Sequence, residues 1–119
     1  MDLFERLYGL EWVALRYFNV YGPVQRGDSP YSTAVAAWCH RSREGKALRS
    51  DGDGEQSRDL VYVEDVADVN ILCSTVWNPS MSRVYNVGSG EAVTNNWILE
   101  KFAERGYAEV VHAQLALAM

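Results

Sequence analysis

Arg58 stands among five carboxylates, Asp51, Asp53, Glu55, Asp59 and Glu64, within the stretch Asp51 to Ala67. A lone guanidinium in that company has two possible roles. It can be a surface salt-bridge partner, or, placed at the end of a strand, it can turn its planar fork of donors toward an anion in a cleft. A second gathering of chemistry-bearing groups, Asn19, Tyr21, Gly22 and Pro23, closes an apolar run. In open α/β sheets the carboxyl ends of strands are where ligands bind. The remaining candidates are weaker. Cys39 and Cys73 are far apart and read as small core residues, and His40 and His112 have no metal-ligand spacing.

These groups need elements to hold them. Residues 2–8 read as the end of a helix, with Leu3, Phe4, Leu7 and Tyr8 on one face and Gly9 at the left-handed stop. Glu11 to Val20 is predicted as one strand, and its apolar continuity implies burial on both faces, as in a parallel sheet. Ser29-Pro30 reads as the start of a helix that buries Tyr31, Val35, Trp38 and Cys39. Its basic end, Arg41, Arg43 and Lys46, reads as compensation of the helix dipole. After a possible short strand at 47–50, the Asp51-Gly-Asp-Gly turn leads to a strand Leu60–Val63, with Arg58 at the hinge. A helix follows from Glu64 to about Trp77, stopped by Asn78-Pro79, then a strand 83–87 and the turn Gly88-Ser89-Gly90. Thr94 should cap a last helix burying Ile98, Leu99, Phe102 and Ala103, with Gly106 ending it. Residues 108–119 have no clear period; Val110-Val111 could be strand.

Composition bounds the classes. A chain of 119 residues, 48% hydrophobic and 23% charged, is of ordinary globular make-up and makes one domain at most. The net charge of −5 with scattered Lys and Arg argues against nucleic acid. No apolar run is long enough for a membrane span, and the acidic start Met1-Asp2 is unlike a signal peptide, so a cytoplasmic protein is expected.

Three stretches, in this order, resemble the carboxyl-terminal part of the NAD-dependent epimerase/dehydratase family, the extended short-chain dehydrogenases that act on nucleotide-diphosphate sugars. They are Leu15-Arg-Tyr-Phe-Asn-Val-Tyr-Gly-Pro23, Gly52-Asp-Gly-Glu-Gln-Ser-Arg-Asp-Leu-Val-Tyr-Val-Glu-Asp-Val-Ala67 and Val84-Tyr-Asn-Val-Gly-Ser-Gly-Glu91. The resemblance covers roughly residues 1–112 and implies an α/β fold: a partial doubly wound, Rossmann-like sheet with the smaller substrate-binding part. It matches Tyr17 and Phe18 to residues lining the nicotinamide pocket of NAD. It matches Asn19 and Arg58 to contacts near the nucleotide diphosphate, and Ser29 to Tyr31 to the wall near the base. An Arg fork and an Asn amide at strand ends suit a diphosphate, and aromatic rings suit a flat ring.

The family also uses a Gly-rich cofactor turn and a Tyr-x-x-x-Lys pair, and neither occurs in these 119 residues. Residues 113–119 depart from the Arg-x-Gly-Asp/Glu segment of the family and read as an unrelated tail. The expectation is therefore a fragment truncated at both ends: part of a sugar-nucleotide site with no catalytic residue, no tight NAD binding alone and weak affinity for a nucleotide-diphosphate sugar. Alternatives are a structural, self-associating protein or the substrate half of an enzyme completed by a separate cofactor-binding chain. A strand stripped of its neighbours exposes apolar surface, so a homo-oligomer is expected.

Overall fold

The computed structural model describes residues 1–107 and 109–113; the expected tail beyond Ala113 lies outside the described residues. The chain runs α1 (Asp2–Tyr8), β1 (Ala14–Tyr17), β2 (Asn19–Tyr21), α2 (Ala34–Arg43), β3 (Leu48–Asp51), β4 (Ser57–Tyr62), α3 (Val63–Val76), β5 (Val84–Val87), β6 (Ala92–Thr94), α4 (Asn95–Glu104) and β7 (Val110–Ala113). The mixed α/β class is as expected, but the strands form three small sheets rather than one. β1 and β5 pair in parallel; β4 lies between parallel β2 and antiparallel β6; β3 pairs in parallel with β7.

The single strand expected over Glu11–Val20 starts at Ala14 and breaks at Phe18. At the break the chain changes partners: Phe18 still donates its N–H to the Val87 carbonyl at 2.9 Å, whereas Asn19 already sits opposite Leu60 of β4. Burial on both faces also fails. Among the described residues β1 has one neighbouring strand, and Tyr17 and Phe18 remain 45% and 44% exposed.

The second helix begins at Ala34, not at Ser29-Pro30. The Ser29 and Ser32 hydroxyls close a local turn that competes with helix: Ser29 Oγ accepts from the Tyr31 N–H, and Ser32 Oγ accepts from the Ser29 N–H while donating to the Arg26 carbonyl. Thr33 is the actual cap and accepts from the Ala36 N–H. Tyr31 therefore stands outside the helix, 95% exposed, and Cys39 is exposed rather than in the core. The other boundaries follow local chemistry. Gly9 and Gly106 take left-handed conformations after α1 and α4, and Thr94 accepts from the Trp97 N–H at 3.1 Å.

Two apolar clusters hold the sheets. Trp38, Leu48, Ile98 and Leu99, with Leu60, Val93, Phe102 and Val110 against them, join α2, α4 and β3 to the β4–β6 ribbon. Val61, Val66 and Val87, with Leu15, Val20 and Val69, pack α3 beneath β1, β2 and β5. β4 belongs to both because its side chains alternate, Leu60 toward the first cluster and Val61 toward the second. α1 buries no residue and is held by a forked ion pair, Arg83 to Glu5 at 2.6 and 2.8 Å. The radius of gyration is 18.6 Å, well above the about 13–14 Å of a compact domain of this length.

Candidate functional site

The β2–β4 pairing decides where the two polar candidates go. Asn19 lies opposite Leu60, and Arg58 is two residues earlier on the same face of β4. Both line one cleft of about 690 Å³, together with Trp38 and Arg41 of α2, Arg49, Ser50 and Asp51 of β3, Gln56, and Asn95 at the start of α4. Asn19 donates one amide N–H to the Asp59 carbonyl at 3.2 Å, which fixes its plane and leaves its oxygen and second N–H available. Arg58 donates from Nη1 to the Ser57 carbonyl at 2.8 Å. Among the described residues it has no carboxylate within salt-bridge distance, whereas Arg49 holds Asp51 at 2.7 Å. The surface salt-bridge role considered for Arg58 is therefore not the one this fold gives it.

The opposite face of β4 carries a latch. The Asp59 carboxylate accepts from the Ser89 N–H (2.7 Å), the Ser89 hydroxyl (2.9 Å) and the Gly90 N–H (2.9 Å). These donors stabilise the charged form, the Ser89 amide most of all, and hold Asp59 below its ordinary value of 3.8 despite an opposing desolvation cost. Gly88 leaves room for the approach, since a Cβ there would fall 2.6 Å from an Asp59 oxygen and 2.4 Å from the Phe18 ring. A depressed carboxylate stabilises the fold above its unfolded pKa and loses that contribution as pH falls through the lower, folded value. The melting-temperature gap between wild type and Asp59→Asn should thus stay constant above about pH 5 and narrow as pH drops below 3.8. A gap that persists unchanged at pH 2 would remove the charge from the explanation.

The other candidates lie elsewhere. The Tyr17 hydroxyl donates to Asn70 Oδ1 at 2.9 Å, and Phe18 packs beside Gly88; neither lines the cleft. Ser29 and Tyr31 also stand outside its lining, although Pro30 and Ser32 between and beside them belong to it. Sequence reasoning missed Arg41, Arg49, Ser50 and Asn95. A signal existed for Arg41: it follows Trp38 by three residues and so shares that residue's inward face.

A model of the NAD-dependent epimerase/dehydratase family matches residues 2–88. The chain belongs to that family. Within it, an ADP-L-glycero-D-manno-heptose-6-epimerase from Alkalilimnicola ehrlichii is 40% identical over 90 residues, covering 71% of this chain and 28% of that protein. The crystal structure of UDP-glucose 4-epimerase with UDP-glucose from Thermotoga maritima superposes with a TM-score of 0.85 at 35% identity, over 98% of this chain and 37% of that one. UDP-glucose 4-epimerase from Thermus thermophilus, solved in complex with NAD, gives 0.76 at 37% identity over 95% and 37%. The chain thus spans about a third of the length of these relatives and carries part of their Rossmann-type fold.

A dinucleotide needs a tight glycine turn between a strand and a helix N-terminus for its phosphates. The two direct strand-to-helix junctions described, Tyr62-Val63 and Thr94-Asn95, contain no glycine.

Proposed function

We propose that this chain is the nucleotide-sugar-binding portion of an NAD-dependent epimerase/dehydratase, that Asn19 and Arg58 meet the diphosphate of a UDP- or dTDP-sugar, and that the chain alone does not catalyse. The observation supporting this reading is the placement in one cleft of Asn19 and of Arg58, which has no carboxylate within salt-bridge distance among the described residues. A guanidinium binds phosphate oxygens through parallel, charge-assisted hydrogen bonds, and an oriented amide adds a neutral donor. Calorimetric titration with UDP-glucose and dTDP-glucose tests it. Weak binding is expected, reduced roughly tenfold or more in Arg58→Ala. The reading fails if neither ligand binds, or if the variant binds as well as the wild type.

A second reading, association through an apolar face, has its own support. The chain is extended for its length, and α1 and α3 expose Leu3, Leu7, Ile71, Leu72 and Val76, each more than half accessible. The two-stranded parallel sheet β1–β5 packs against α3 on one face, yet Tyr17 and Val84 remain 45% and 38% exposed, whereas parallel sheets normally have both faces covered. Sedimentation at micromolar concentration should give a species heavier than one chain; a clean monomer counts against it.

A further inference from the structure

We infer that Arg41 is a second anion-binding residue of the Asn19–Arg58 cleft, gripping the diphosphate from the α2 wall; the inference rests on the nucleotide-sugar reading only for the identity of the ligand. Arg41 lies in the last turn of α2, where compensation of the helix dipole would account for its charge but not for its geometry. Its Nε–H donates to the Ala47 carbonyl at 2.6 Å, tying the guanidinium to the loop that leads into β3. That bond consumes one of five donors and restricts the side chain, so less freedom is lost when the others engage a ligand. The nearby carboxylate at the end of α2, Glu44, is taken by Lys46 at 3.0 Å and His40 at 3.5 Å. Among the described residues, Arg41 and Arg58 both line the cleft and both lack a carboxylate within salt-bridge distance, in a chain with 16 acidic and 11 basic side chains.

A separate observation points to the same place. Ser50, also in the cleft lining, is 1% exposed, and its hydroxyl has no hydrogen-bond partner among the described residues. An unpaired buried hydroxyl is costly and rare in a finished protein. A ligand oxygen that entered the cleft on the Ser50 side would give it a partner. Among the described residues, two cations with no carboxylate within salt-bridge distance and one hydroxyl without a partner are brought to one cleft by α2, β3 and β4, an arrangement that suits a polyanion such as a diphosphate.

The test titrates inorganic pyrophosphate and, separately, UDP-glucose into the wild type and into Arg41→Gln, Arg41→Lys, Arg43→Gln and Ser50→Ala, with thermal melting as a check of folding. Arg41→Gln should weaken pyrophosphate binding tenfold or more and flatten its salt dependence, while Arg41→Lys retains part of the affinity. Arg43→Gln, altered in the same helical turn but outside the cleft, should bind like the wild type. Ser50→Ala should bind about threefold more weakly, with a melting temperature equal to or above that of the wild type. Equal pyrophosphate binding by Arg41→Gln and the wild type, or no binding by the wild type, overturns the inference. Arg41-dependent pyrophosphate binding without UDP-glucose binding upholds it and refutes the nucleotide-sugar reading instead.

Discussion

Trp38→Ala is expected to lower the unfolding free energy by about 3–5 kcal/mol, the range for truncating a fully buried large aromatic. Trp38 is 2% exposed at the centre of the first cluster, edge-on to Phe102 with ring centroids 6.4 Å apart. Its indole N–H also donates to the Arg49 carbonyl at 2.7 Å, so the truncation removes packing and the bond that ties α2 to β3. Those elements form one side of the Asn19–Arg58 cleft, so the nucleotide-sugar binding proposed for it should fall with stability. Trp38→Phe keeps much of the apolar contact and loses the N–H donor and part of the ring volume, so it should be clearly milder. Urea unfolding of the two variants distinguishes the contributions; equal losses would mean that the hydrogen bond, not the ring volume, dominates.

Gly27→Ala is the second large effect. An added Cβ would lie 2.1 Å from the Ala36 carbonyl oxygen and 2.6 Å from the His40 Cβ. The Ala36 oxygen is helix backbone and cannot swing aside as a side-chain tip can, so α2 or the 22–29 loop must shift. Such overpacking, with the backbone shift it forces, costs about 1–3 kcal/mol. At Gly54 the nearest obstacle to a Cβ is the Asn96 side chain, 2.0 Å away, which is free to rotate; the added cost there comes from its positive φ of 78° and the loss of the Asn96 amide bonds to the Asp53 carbonyl and Glu55. Equilibrium unfolding should therefore rank Gly27→Ala as the more damaging of the two, and the reverse order would mean that the loop yields more readily than the helix contact implies.

What could be read beforehand was what local chemistry controls. The left-handed stops at Gly9 and Gly106, the Thr94 cap and the Asn78-Pro79 stop after α3 each depend on a few adjacent residues, and their elements came out within a residue or two. The break at Phe18 was not legible, because it arises where the chain leaves β5 for β4, a choice made by residues 40 to 70 positions away. The Ser29–Ser32 turn displaced a helix start that Pro30 suggested, since hydroxyl bonds to nearby backbone are invisible to an apolar period. β6, only three residues long, owes its existence to pairing with β4. The site divided along the same line. Asn19 and Arg58 were found through motif resemblance, and their meeting depends on the β2–β4 register. Arg41 looked like an ordinary basic helix end because its anchor, the Ala47 carbonyl, is defined only once β3 is in place.

The β3–β7 pair has a consequence for biosynthesis. Leu48 lies opposite Val110, and the Leu48 N–H is bonded to the Glu109 carbonyl at 2.7 Å. The strand that carries Arg49, Ser50 and Asp51 into the cleft is therefore completed by residues 62 positions further along the sequence. Closing so long a loop carries an entropic cost that must be met before its contacts contribute. On the ribosome, the Asn19–Arg58 pair can form once β4 has emerged, but the β3 floor has to wait for β7. A nascent chain halted before residue 110 would have the arginine and the asparagine in place over an unsupported strand, so the β3 floor of the cleft is completed only after β7 has emerged.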